Sequence, residues 1–340
     1  MRRTFIVGMK NLNQSSRSLA RESHERLSGR ITAAQLGGGN GSFLPLFGHC
    51  LARPWWLRYE ARTGWPMRGN MQSPWHFLGS VPENYERYLV PRIFAPWAED
   101  LVETAALGTG ERVLDIGCGT GIVARIAARR LGNRGSVVGL DPSAPMLAAA
   151  RAAATAEGVA VEWREGDPLD QPFTDGAFEV VLCQQVLQFF PDKPRGLREM
   201  HRVLRPGGRI ILSVWGSIER SPGFAVLAEA LTRHVDPQAG GLLGSGPFSL
   251  SDADELRTLI AGANFQDIVI RRATKTLHYA SLEEFVLSYV SGSALAGIVG
   301  GVDESARAAL LAEVRTKLAR AIDDQGLRFP IVTNIAAARA

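Results

Sequence analysis

Cysteine is scarce: three in 340 residues, Cys50, Cys118 and Cys183, with no CxxC pair among them. An odd, widely spaced set argues against a disulfide-stapled scaffold or a zinc site and points to a reducing, cytoplasmic setting. Long apolar runs are missing too. None approaches the roughly 18–20 residues that cross a bilayer, so no membrane span is expected. The opening MRRTFIVGMK is charged but lacks the apolar core of a secretory signal. A large charge excess is also absent, the net charge being +4. Residues 1–80 hold eleven Arg or Lys against three Glu, a balance of +8 that leaves −4 for the remainder. A nucleic-acid binder needs a basic face on its folded body, so no nucleic-acid partner is expected.

Residues 1–80 show no sustained periodicity. They contain the run QLGGGNGS and a Trp/Pro-rich patch at 53–75, and read as a basic, mostly irregular extension with a short helix near Leu19–Leu36. A domain over 81–340 follows. Leu89, Ile93, Trp97 and Leu101 recur at helical spacing, with Pro91 and Pro96 predicting a kink. Strands are then predicted at 112–117, 136–141, 159–167, 178–184 and 209–215, with helices at 122–132, 144–158 and 193–204 and a turn at RPGG 205–208. This alternation implies βαβ units and a parallel sheet. Beyond Trp215 come a short helix at 224–233, a flexible glycine-rich run at 240–246 and a helix at 251–265 opened by Ser251. A strand at 267–279, two further helices and a last strand at 328–339 complete the chain. The regularly alternating half is placed at about 108–215 and the looser later elements at about 216–325.

The unusual residues gather at strand ends. Asp115 and the loop Gly117, Cys118, Gly119, Thr120, Gly121 close the first strand. Asp141 closes the second, Gly166 and Asp167 the third, Gln184 the fourth and Trp215 the fifth. In an open parallel sheet, ligands bind beyond the carboxyl ends of the strands. Glycine lets backbone come close to a ligand, and the next helix offers free N–H groups to a carboxylate. Asp141 suits a ribose diol, and Asp167 an exocyclic amino group such as that of adenine. Together they describe a nucleoside with an amino-acid tail.

VLDIGCGTG, GLDPSAPML, EGDPLDQPF, FEVVLCQQVLQFFPD and LREMHRVLRPGGRIILSVW resemble class I S-adenosylmethionine-dependent methyltransferases, and are most similar to the small-molecule branch labelled ubiquinone/menaquinone-biosynthesis-like. The resemblance spans about residues 83–340. It implies a Rossmann-like three-layer α/β/α fold with helical insertions, and a seven-stranded sheet ordered 3-2-1-4-5-7-6 with the seventh strand antiparallel. It implies S-adenosyl-L-methionine as cofactor, with Asp115 and Gly117–Gly121 holding the methionine portion. Asp141 would bind ribose, with Pro142, Ser143 and Met146 packing around ribose and adenine. Asp167 and Pro168 would meet the adenine edge, and Cys183 and Gln184 would line the floor. Pro168 departs from the more usual Ala, and Gln188 stands where related helices carry a His.

Methyl transfer from a sulfonium needs in-line geometry and dryness, and no metal. A small-molecule acceptor, phenolic, quinone-like or polyketide, is expected, with Gln185, Trp215 and Tyr85 on its side. No residue is assigned as the general base; His201 and His278 are both poor candidates. Two other readings fit part of the pattern. A nicotinamide dehydrogenase accounts for the glycine loop and Asp141, but not for the GxGxG form or Asp167. A non-catalytic binding module accounts for all of the cofactor positions.

Overall fold

A computed structural model describes residues 80–340. The helix expected near Leu19–Leu36, the Trp/Pro-rich patch and Cys50 lie outside the described residues.

The chain enters through three helical pieces joined end to end: α1 (Val81–Asn84), α2 (Tyr85–Phe94) and α3 (Ala95–Ala105). Leu89, Ile93, Trp97 and Leu101 all face the core, as their spacing predicts. The kink expected from the prolines is instead a π-helical stretch: α2 is wound one residue wider, and the Ala95 N–H donates to the Val90 carbonyl five residues back. Pro91 and Pro96 have no N–H to give, so the ladder shifts register rather than breaking.

The strands are β1 (Arg112–Ile116), β2 (Ser136–Asp141), β3 (Glu162–Glu165), β4 (Phe178–Gln184), β5 (Leu204–Trp215), β6 (Gln266–Tyr279), β7 (Ile322–Asp323) and β8 (Gly326–Arg339). Their order is β3-β2-β1-β4-β5-β8-β6, with β7 paired only to β8. β1 to β5 are parallel; β8 runs antiparallel between β5 and β6. This is the expected order, with the last long strand as the seventh and the two-residue β7 as an addition.

Helices α4 (Ile122–Leu131), α5 (Ala144–Glu157) and α6 (Lys193–Val203) follow β1, β2 and β4. Ser143 caps α5, its hydroxyl accepting from the Met146 N–H, and Gly158 ends that helix in the left-handed region at φ 66°. Later come α7 (Pro222–His234), α8 (Gly241–Ser245), α9 (Ala253–Ala261), α10 (Leu282–Ser291), α11 (Leu295–Val299) and α12 (Glu304–Lys317). One sheet face is covered by α2, α3, α4, α7, α10 and α12, the other by α6 and α9.

Four local expectations are corrected. The RPGG turn is absorbed into β5, which starts at Leu204 and bends at Gly207, φ 76°. The run at 240–246 is not loose: it forms α8, and Gly240 sits so close to the Ala228 carbonyl that a Cβ would lie 2.0 Å from it. Helix α9 is capped by Asp252, whose carboxylate takes the Asp254 and Glu255 N–H groups, not by Ser251. The third strand is Glu162–Glu165, shorter than 159–167.

Candidate functional site

The loop after β1 is pinned at its start, where the Gly117 and Cys118 N–H groups both donate to the Leu140 carbonyl at 2.7 and 3.0 Å. Its end is tight: a Cβ on Gly121, φ 84°, would stand 2.2 Å from the Trp163 ring. Gly119, also left-handed at 55°, faces open space instead. The bend therefore leaves one bare backbone position at its crest.

Asp115 and Asp141 flank that crest. The Asp115 carboxylate accepts from the Ala124 N–H in the first turn of α4 at 3.0 Å, tying strand to helix. Burial pushes its pKa well above the ordinary carboxylate range, against the Ala124 bond and with a further rise from Asp141. Asp141 accepts from Gly119 and Ser143, both at 2.8 Å. Burial raises its pKa to about 6 against those two donors. Gly166 donates to the Asp141 carbonyl at 3.2 Å, which brings the β3 end alongside. The Asp167 carboxylate accepts from the Leu169 N–H at 2.8 Å, and Pro168 is buried with its carbonyl taken by Gln171. Pro142, Ser143 and Met146 are half-buried around the β2 end.

Burial raises the Cys183 thiol to about 12 and Cys118 well above its usual value, so both thiols are protonated at neutral pH and neither is a nucleophile there. Gln184 donates to the Phe94 carbonyl at 2.8 Å, linking the β4 tip to α2. Phe94 stacks on Tyr85, ring centroids 4.8 Å apart, and leans on Trp215. Tyr85 is itself within the field of Asp141 and Asp115; burial first, then Asp141, pushes its pKa upward. Tyr85, Gln184 and Trp215 thus meet at Phe94, with Tyr85 on the side of Asp115 and Asp141.

Gln185 adopts a left-handed backbone, φ 56°, unusual for a non-glycine residue. Its N–H donates to the Ser213 carbonyl at 2.8 Å and its side-chain amide to the Thr333 hydroxyl at 2.9 Å, while its oxygen accepts from Gln188 at 3.4 Å. Thr333, Gln188 and Phe94 are not among the site residues expected from the sequence. The Gln185–Gln188 spacing was the one available signal, since residues three apart meet on a helical turn. His201 packs edge-on against Phe265 and His278 bonds the Gln325 carbonyl. Among the described residues, Thr120 Oγ1, Gln184 Oε1, Gln188 Oε1 and Ser213 Oγ are buried without a partner, and no cluster of His, Cys, Asp or Glu fits a metal ion.

Comparison with known proteins agrees with this geometry. The family described as a methyltransferase domain matches residues 114–212. The chain is 39% identical over 115 residues to a 2-phytyl-1,4-naphtoquinone methyltransferase of Synechococcus elongatus, spanning 33% of this chain and 49% of that protein. It is 36% identical over 152 residues to a demethylmenaquinone methyltransferase of Thermus thermophilus, spanning 45% of this chain and 68% of the relative. The chain thus spans about half the length of the first of these curated relatives. Among solved structures, Haemonchus contortus phosphoethanolamine N-methyltransferase 2 superposes with a TM-score of 0.50, covering 76% of this chain and 56% of that one at 21% identity. That likeness carries the fold alone.

Proposed function

This chain belongs to the class I S-adenosylmethionine-dependent methyltransferases, in their small-molecule branch, and from that premise we propose that it moves a methyl group from S-adenosyl-L-methionine to a neutral, quinone-like, phenolic or polyketide acceptor. The observation that carries this reading is the convergence of the glycine crest, Asp115 and Asp141 at the carboxyl ends of adjacent parallel strands. The donor fits the residues present. Gly119 faces open space, and the buried Thr120 hydroxyl lacks a partner. Asp141 would take the ribose hydroxyls, Asp167 the adenine edge beside Pro168, and the Gly117–Gly121 loop the amino-acid tail. Pro142, Ser143 and Met146 would enclose ribose and adenine, and Cys183 with Gln184 would floor the methionine.

Bound, the donor supplies an electrophilic methyl on a sulfonium. The protein's own work is then to align and to dry. The ring wall of Tyr85, Phe94 and Trp215 excludes water from the cleft. Tyr85 keeps its proton at neutral pH, because burial and Asp141 both oppose ionisation; it steers or donates, and does not serve as a base. Gln185, fixed by Thr333, offers the acceptor a neutral polar contact. The Lewis-base step at the acceptor is assigned to no side chain.

Residues 81–340 form the transferase domain in this reading, and 1–80 a basic extension. A reducing, cytoplasmic setting fits the free thiols of Cys118 and Cys183, and a folded body of net charge −4 fits the absence of a nucleic-acid partner; no helix among the described residues is long and apolar enough to cross a membrane. The test is calorimetry with S-adenosylhomocysteine, followed by a labelled-methyl assay on quinol and phenol acceptors. Binding with transfer is expected; absence of heat overturns the reading, and binding without transfer to any acceptor favours a non-catalytic module.

A further inference from the structure

Arg125 is the one buried cation among the described residues, with 2% of its surface exposed. It stands on α4 four residues past Gly121, whose carbonyl accepts the Arg125 N–H at 2.8 Å. The residue before it, Ala124, is held by Asp115. Its root is therefore part of the glycine-loop framework. The guanidinium reaches carboxylates on two different elements: Glu157, the last residue of α5, and Glu86 on the π-helical α2, the latter at 2.6 Å.

The two partners are unequal. Glu157 is also gripped by Arg129 of α4, so that end of the cluster is braced twice, at the exposed side of the α4–α5 layer. Among the described residues Glu86 has one charged partner, and its second carboxylate oxygen is buried with none, as is Arg125 Nε. The other polar ties of residues 81–94 run to α10 and to the β4 tip rather than to the α4–α5 layer: Asn84 to the Ser291 carbonyl, Arg92 to Glu284, and the Phe94 carbonyl to Gln184. Next to Glu86 stands Tyr85, stacked on Phe94 over the Asp115–Asp141 cleft.

A buried ion pair is a poor way to gain stability, since apolar side chains of the same volume commonly do as well or better. It differs in how it opens. When an apolar contact parts, water gains nothing; when two charges part, water solvates both and offsets much of the loss. A charged tie between a fixed core and an irregularly wound helix suits a joint that opens and recloses, and π-helical turns recur at functional sites. Resting on the reading of this cleft as the donor site, we propose that Arg125 is a positioning residue whose ion pair with Glu86 holds α2 closed over the bound donor and sets how long the donor stays.

The test compares three variants of the full chain, Glu86→Gln, Arg125→Lys and Glu157→Gln, by backbone hydrogen exchange without ligand and by stopped-flow release of S-adenosylmethionine. Glu86→Gln cuts the tie to α2 alone. Exchange over residues 81–94 rises and donor release speeds up roughly fivefold, the equivalent of about 1 kcal/mol for a pair whose glutamate is partly exposed and whose arginine keeps Glu157. Arg125→Lys retains charge but loses the two-armed grip, and falls between Glu86→Gln and wild type. Glu157→Gln lowers the melting temperature and leaves release within about twofold of wild type. Equal release effects in Glu86→Gln and Glu157→Gln, or wild-type exchange and release in Glu86→Gln, overturn the latch. Failure of the wild-type protein to bind the donor overturns the donor-site reading instead, together with the release half of this inference.

Discussion

The two halves of the sheet hold their polar groups by opposite means. From β1 to β3, the aspartates at the strand ends are answered by backbone N–H groups: Asp115 by Ala124, Asp141 by Ser143 and by Gly119 of the neighbouring loop, Asp167 by Leu169. Around the ends of β4, β5 and β8 the groups are amides and hydroxyls that bond one another over long separations, as Gln185 does with Thr333. Their setting is aromatic, with Trp215, Phe248, Phe224 and Tyr289 in mutual contact. Backbone donors cannot be moved by changing a side chain, so the first arrangement fixes one ligand geometry. Rings and amides can be exchanged without disturbing the ladder, so the second can be reshaped for different acceptors.

The strongest way to break this contrast is at Gly121. Gly121→Ala forces a left-handed backbone on a residue with a Cβ and drives that carbon into the Trp163 ring. A stability loss of about 2–4 kcal/mol is expected by urea unfolding, with donor binding lost. Asp141→Asn comes next. Loss of charge-assisted hydrogen bonds lowers donor affinity by at least about 1.5 kcal/mol by calorimetry, with the acceptor KM unchanged. An unaltered donor affinity rules out the ribose role.

Acidity probes the same carboxylate. Its pKa of about 6 lies above the ordinary value, so the ligand-free protein gains from protonation: this contribution to stability is full at about pH 4 and is lost as pH rises through 6. Donor binding runs the other way, since it uses the ionised form. Affinity falls toward tenfold per pH unit below about 6, and Asp141→Asn flattens that dependence. The smallest effect is Trp215→Phe. Removing the indole raises the acceptor KM by the equivalent of about 1 kcal/mol and leaves donor affinity unchanged. A matching fall in donor affinity erases the distinction between the halves.

The donor half was open to sequence reading because its signals are local. Asp141 closes an apolar run and Gly121 a glycine-rich bend just past one, so both are marked by their immediate neighbours even though Gly119 and Trp163 complete their settings from elsewhere in the chain. The α2 winding was not legible: Pro91 and Pro96 announce a disturbance, but whether a helix kinks or widens is decided by what packs on Leu89 and Ile93. Arg125 lies within IVARIAARR, where an arginine reads as a surface residue; its burial depends on Glu86 and Glu157, 39 and 32 residues away. The left-handed Gln185 was hidden for the same reason, since Ser213 and Thr333 impose it. The Ser251 cap failed by one position because Asp252 offers the stronger acceptor for the same two N–H groups.

The antiparallel β8 lies between β5 and β6, and this placement has a bearing on assembly. Among the described residues β6 has no other strand to pair with, so it waits for residues 326–339 before it can join the sheet. Growth from β1 outward through βαβ units can follow synthesis; closure of the far edge cannot, and demands contacts between remote parts of the chain, which are slow to form. The strand that completes the edge also brings Thr333. The nucleotide-facing bends can therefore set early, while the opposite floor is finished by the last strand to arrive.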